Sequence, residues 1–104
     1  ADESMRTSRD VALLAPYCHG VNIKLEKCGG YREAVRAQAL CAATGLNVWL
    51  GCMVGTALNC NAIVEILPLC NSAADMDGFL LVNPKCNPCE ANFYLDPSGA
   101  IKRR

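Results

Sequence analysis

The sequence predicts an α/β fold in which short apolar strands alternate with helices around a parallel sheet. Three observations carry this reading. Strand-length apolar runs at Val21–Leu25 and Leu46–Leu50 are each followed by a longer helical stretch. Pro16, Gly20, the pair Gly29-Gly30 and Gly45 stand at the junctions. The second run is almost wholly apolar, as expected where a parallel sheet is covered on both faces.

The elements follow in order. Thr7 to Asp10 is a helix start, with Thr7 as cap and Asp10 where a capping-box acid reaches back. That helix runs through Val11, Leu13 and Leu14 and stops at Pro16. Gly20 releases the strand Val21–Leu25, and Tyr31–Thr44 reads as an alanine-rich helix with Gly45 as its C-terminal cap. Leu46–Leu50 is the next strand, Gly51–Thr56 a loop, and Ala57 to about Leu69 a helix. A further strand is expected at Ala74–Asp77, with a turn at Gly78. The tail from Asn92 to Lys102 reads as a hairpin turning at Asp96-Pro97-Ser98-Gly99. A parallel sheet of so few strands leaves both edges bare, so the chain is expected to belong to something larger.

Composition narrows the function. Hydrophobic residues make up 52% and charged ones 19% of the 104 residues, a globular balance. A formal net charge of zero gives no footprint for nucleic acid or an anionic membrane. The longest apolar stretch, Val48–Leu58, is interrupted by Gly51, Gly55 and Thr56 and is too short to cross a bilayer. The first residues carry charges of both signs without an apolar core, so no secretory signal is expected.

Eight cysteines raise the question of a disulfide scaffold. Cys41, Cys60 and Cys70 fall within or at the end of apolar helical stretches and read as small hydrophobes. A reduced, cytoplasmic protein is therefore expected. Cys86 and Cys89 form a lone C-x-x-C in a Pro/Asn-rich loop, and His19 is far away in sequence. A zinc site needs about four ligands, so these read as loop cysteines without metal. The rival from another class is a small cysteine-rich binding module.

In α/β barrels the chemistry gathers at the C-terminal ends of strands. Ala1-Asp2 has the form of a strand tail delivering a carboxylate, the Val21 strand delivers Lys24, and the Ala74 strand delivers Asp75 and Asp77. Alternate strand residues share a face, which groups Asn22 with Lys24 and Asp75 with Asp77. Lys27 falls outside that parity and reads as a loop residue. A lysine near carboxylates and a divalent cation suits removal of a proton α to a carboxylate while the metal holds the enediolate.

Ala1-Asp2-Glu3-Ser4, then Val21 through Gly30, then Gly51-Cys52-Met53-Val54-Gly55-Thr56, then Asp75-Met76-Asp77-Gly78 resemble successive strand-end motifs of the dipeptide epimerases, in the muconate-lactonising branch of the enolase superfamily. The resemblance implies a partial (β/α) barrel, from the end of strand five through strand eight, with a C-terminal hairpin-like tail. It implies magnesium as cofactor, with Asp2 the last of three carboxylate ligands. Lys24 is then the sixth-strand general base, and Asp75 and Asp77 bind the α-ammonium of a dipeptide. Cys52, flanked by Met53 and Val54, is expected as a wall of the substrate pocket, and Glu3 tunes the opposing lysine. Many relatives carry an acid where Gly55 stands and a proline where Phe79 stands. The other metal carboxylates, the opposing lysine and the capping domain lie outside this chain, so the missing barrel half is required for activity. A cycloisomerase or succinylbenzoate-synthase-like activity is the alternative within the superfamily, and paired acids at 75 and 77 argue against its anionic substrates.

Overall fold

In the computed structural model, which describes residues 1–104, β1 (Gly20–Lys24) and β2 (Asn47–Gly51) pair in parallel with Val21 opposite Val48 and Ile23 opposite Leu50. The two-residue β3 (Ala74–Asp75) adds to β2 in parallel, with Asp75 opposite Gly51. The sheet order is β1-β2-β3, so each strand lies beside its sequence neighbour. A fourth position is marked at the β1 edge. The Ala1 ammonium donates to Gly20 O at 2.6 Å, and Asn22 N–H donates to Ala1 O at 2.7 Å. That pair of bonds is the parallel-ladder pattern, with Ala1 opposite Val21.

The helices cover one face. Val21 and Ile23 of β1 and Val48 and Leu50 of β2 form a core with Val11 of α1 (Ser8–Leu14) and Ala34, Ala37 and Cys41 of α3 (Tyr31–Thr44). Small residues on α3 let the helix lie close on the branched strand residues. A second core joins Cys60, Ile63 and Val64 of α4 (Ala57–Glu65) to Cys52, Met76 and Phe93. Fully burying side chains such as Leu50 and Ile63 is worth roughly 1.5–3 kcal/mol each, so this layer contact outweighs any helix cap.

The other face of the sheet is open. Trp49 is 42% exposed there, although the almost wholly apolar strand is expected to be covered on both sides. The reason is topological: every helix follows its strand onto one side, as right-handed βα crossovers require, and nothing in this chain reaches the other.

Element boundaries shift for local reasons. β1 ends at Lys24, and Leu25 opens a four-residue helical turn, α2 (Leu25–Cys28), instead of continuing the strand. Gly29, at φ 84°, ends that turn in the left-handed region, where a side chain is costly. α4 stops at Glu65 and gives way to a 3₁₀ turn, Leu67–Leu69, because Pro68 has no N–H to continue the ladder. Asp77–Leu81 is also 3₁₀. The expected hairpin is present as β4 (Phe93–Leu95) and β5 (Ile101–Arg103), antiparallel, with the Asp96 carboxylate accepting from Ser98 and Ala100 N–H at 2.9 Å each. Phe79 and Phe93 meet edge to face at 5.4 Å, seating the hairpin under the second core. All eight cysteines are free thiols, against the disulfide-module reading. No helix is long and apolar enough to cross a membrane.

The α1 cap makes a measurable case. The Asp10 carboxylate accepts from Thr7 N–H at 2.8 Å and from Arg6 N–H at 3.0 Å, and these bonds hold its pKa below the ordinary value. Asp10→Ala is expected to cost about 0.5–1 kcal/mol at neutral pH, the low end for a partly exposed cap. A depressed carboxyl pKa stabilises the fold above the unfolded value near 4 and loses that stabilisation as pH falls through the folded value. Urea titrations at neutral pH and near pH 2.5 check this: the gap between wild type and variant should narrow in acid.

Candidate active site

The strand ends of β1 and β3 and the first two residues meet at one end of the sheet. Asp2 is the centre. Lys24 Nζ lies 3.1 Å from Asp2 Oδ2 and 3.9 Å from Glu3 Oε1. Lys27 Nζ lies 2.6 Å from Asp2 Oδ1, 2.6 Å from Asp2 O and 3.2 Å from Asn22 O. Lys24 is the one buried charged residue, at 8% exposure.

The expected parity holds along β1 and fails beyond it. Ile23 is buried against the helices, while Asn22 turns to the open face and Lys24 reaches Asp2. After Lys24 the backbone is helical, and residues three apart then share a side. Lys27 is therefore brought back beside Lys24, correcting its reading as a loop residue. The signal that could have found it is the Lys24–Lys27 spacing ahead of Gly29-Gly30.

The two ammonium groups are not equivalent. A lysine carries three donors, and all three of Lys27 have acceptors, two on Asp2 and one on Asn22. Lys27 is a clamp. Lys24 has one close partner, Asp2, with Glu3 at 3.9 Å, and keeps donor capacity. Burial opposes its charged form, but the hydrogen bond to Asp2 and the charges of Asp2, Glu3 and Asp75 outweigh it and raise its pKa. Burial likewise works against an ionised Asp2, yet Lys27 and Lys24 together hold that carboxyl below its ordinary value.

A groove of about 510 Å³ runs along the open face, with Asp2, Asn22, Trp49, Ser72 and Asp75 among its lining residues. Asn22 Oδ1 is buried in it without a hydrogen-bond partner. Gly51 is required here, because a Cβ would stand 2.6 Å from that oxygen. Asp75 and Asp77 are not on one strand face as expected. β3 ends at Asp75, and the exposed Asp77 begins the 3₁₀ turn, its N–H donating to Asp75 Oδ1 at 3.2 Å. Asp75 lines the groove, and Asp77 does not.

Cys52, expected as a pocket wall, is 5% exposed and packs with Cys60, Ile63 and Met76 in the helix-side core. Strand parity gives the reason: Val48, Leu50 and Cys52 share the helix-side face. Met53 and Val54, 42% and 65% exposed, carry the loop's accessible side chains.

For a divalent metal, the chain offers Asp2 and little else nearby. No group of three His, Cys, Asp or Glu side chains is placed to hold an ion. These residues fit one ligand of a magnesium site and do not complete it.

Known proteins resemble the chain in sequence and in fold. The chain is 39% identical over 104 residues to an enolase superfamily member of Dictyostelium discoideum, covering 98% of this chain and 24% of that protein. It is 42% identical over 83 residues to the L-Ala-D/L-Glu epimerase of Bacteroides thetaiotaomicron, covering 80% of this chain and 21% of that enzyme. The chain thus spans about a quarter of the length of these relatives. Among solved structures, a dipeptide epimerase from Methylococcus capsulatus complexed with Mg superposes with a TM-score of 0.86 at 29% identity, covering all of this chain and 31% of that one. Residues 1–92 match the model of the enolase C-terminal domain-like family, and the chain belongs to that family.

Proposed function

We propose that this chain forms the last part of a (β/α)-barrel, from the end of strand five through strand eight, of a magnesium-dependent dipeptide epimerase. The reaction is a 1,1-proton transfer at the α-carbon of an amino-acid residue. The observation that carries the reading is the asymmetry of the two lysines on Asp2. Lys27, with all donors engaged, fixes the carboxylate, whereas the buried Lys24 has a single close partner in Asp2, with Glu3 farther off at 3.9 Å.

In this reading Lys24 moves the α-proton on one face of the substrate, and a base outside this chain serves the other face. Asp2 contributes one carboxylate to the magnesium site, and the remaining ligands come from outside the chain. Asp75, with the neighbouring Asp77, receives the substrate α-ammonium. Met53 and Val54 supply the wall first expected from Cys52. Support comes from the Bacteroides and Methylococcus enzymes, whose names state this activity, and from the acids at positions 75 and 77, which suit a cationic group.

The test is proton–deuterium exchange at the α-carbon of an L-Ala-L-Glu-type dipeptide, followed for the full-length protein and for the 104-residue chain alone. The full-length protein should exchange and epimerise. The chain alone should do neither, because one carboxylate holds magnesium poorly and one base cannot serve both faces. Enzyme-like exchange by the chain alone would show that the site is complete without a second base. A full-length protein inert toward dipeptides sinks the proposed substrate.

A further inference from the structure

Glu26 sits between the two lysines in sequence and points away from both. It lies on the α2 turn, and its Oε1 accepts from Met53 N–H at 2.8 Å and from Asn59 Nδ2 at 2.6 Å. Met53 belongs to the loop between β2 and α4, and Asn59 to the first turn of α4. One carboxylate oxygen therefore joins three elements: the turn that follows Lys24 and bears Lys27, the loop that carries Met53 and Val54, and the helix start behind that loop.

The start of the loop is anchored, since Cys52 N–H donates to Asp75 O at 3.0 Å and its side chain is buried in the core. Val54 is 65% exposed, and Gly55 contributes no side chain. Below Met53, Gly78 makes a close backbone approach, where a Cβ would stand 2.4 Å from Met53 O. Met53 is thus held by Glu26 at its N–H and closely approached by the Gly78 turn at its carbonyl. The Gly78 turn begins at Asp77. The chain of contacts runs from the lysine turn through Met53 to the turn that begins at Asp77, next to Asp75 at the end of β3, the groups that the proposed reaction needs in register.

We infer that Glu26 is a positioning residue that sets the loop Cys52–Thr56 against the lysine turn and so fixes the substrate-facing wall relative to the base. It touches neither the reacting atoms nor Asp2. This inference rests on the epimerase reading for its catalytic consequence, and on the two hydrogen bonds alone for its structural one.

The experiment keeps these apart, using the full-length protein and the variants Glu26→Ala, Glu26→Gln and Asn59→Ala. Amide hydrogen exchange at Met53 reads the loop. Glu26→Ala should speed it about tenfold, the loss expected for one charge-assisted bond on a partly solvated loop. Glu26→Gln keeps an acceptor oxygen and should recover most of the protection. Kinetics read the consequence: Glu26→Ala should raise KM for dipeptides about tenfold and change kcat by less than threefold, because the base itself stays in place. Asn59→Ala should act in the same direction with a smaller effect, and adding it to Glu26→Ala should cost little more. Unchanged Met53 exchange in Glu26→Ala, or Gln behaving like Ala, overturns the positioning role. A kcat loss with KM unchanged does so too, since it would place Glu26 in the chemistry. If the full-length protein turns over no dipeptide, the epimerase reading fails, while the amide-exchange arm still decides whether Glu26 sets the loop.

Discussion

Replacing Lys24 by Ala in the full-length protein should abolish epimerisation in both directions, by at least the 10²–10⁴-fold typical of general acid–base groups. One base removes the α-proton and its opposite returns one, so either loss stops turnover. Exchange of the α-proton should survive for one enantiomer only, the one served by the base outside this chain. Lys27→Ala should behave differently. It removes the ammonium that engages Asp2 Oδ1, Asp2 O and Asn22 O. A misplaced carboxylate slows both enantiomers alike, by roughly 10–100-fold for the loss of a charge-assisted bond of about 1.5–3 kcal/mol. ¹H NMR of each enantiomer in D₂O separates the two patterns. One-sided loss of exchange in Lys27→Ala, with Lys24→Ala still epimerising, would exchange the roles assigned to the two lysines.

The Asp75→Asn/Asp77→Asn double variant of the full-length protein should raise KM at least tenfold for dipeptides with a free amino terminus. Each charge-assisted hydrogen bond to an ammonium is worth about 1.5–3 kcal/mol, so one lost contact already suffices. N-acylated substrates have no ammonium to lose and should be affected far less. The structure divides the effect between the two sites. Asp75 lines the groove opposite Gly51, whereas Asp77 is exposed and gives its backbone N–H to Asp75. Asp75→Asn should therefore account for most of the KM change, with Asp77→Asn contributing the lesser part. Steady-state kinetics on matched free and N-acylated dipeptides provide the measurement. Equal losses on both would mean that the acids serve the fold of the turn, and the substrate would lie in another branch of the superfamily.

Much of this was legible before any coordinates. The strand–helix alternation, the Asp10 cap and the Asp96–Gly99 turn are local signals, each set by residues within about one turn of one another, and each was read correctly. Asp2, Lys24 and Asp75 lie together at the sheet end because a parallel sheet puts its polar residues at strand ends. The misreadings cluster where one period gives way to another. Lys27 was set aside because strand parity was carried past Lys24 into a helical turn. Asp77 was placed on a strand that ends two residues earlier. For Cys52 the motif outranked the parity that β2 itself dictates, and the thiol went to the core.

The sequence by itself determined the α/β class, the family and the residues able to carry charge at the sheet end, because these follow from local periodicity and motif spacing. Only the tertiary structure decided how those charges are shared. Asp2 and Lys27 are 25 residues apart, and no local rule pairs them. Their contact exists because Ala1 bonds alongside β1 and the α2 turn folds back over it. That geometry gives all three donors of one lysine an acceptor and the other a single close carboxylate, a distinction set by hydrogen-bond capacity in space and invisible in the order of residues.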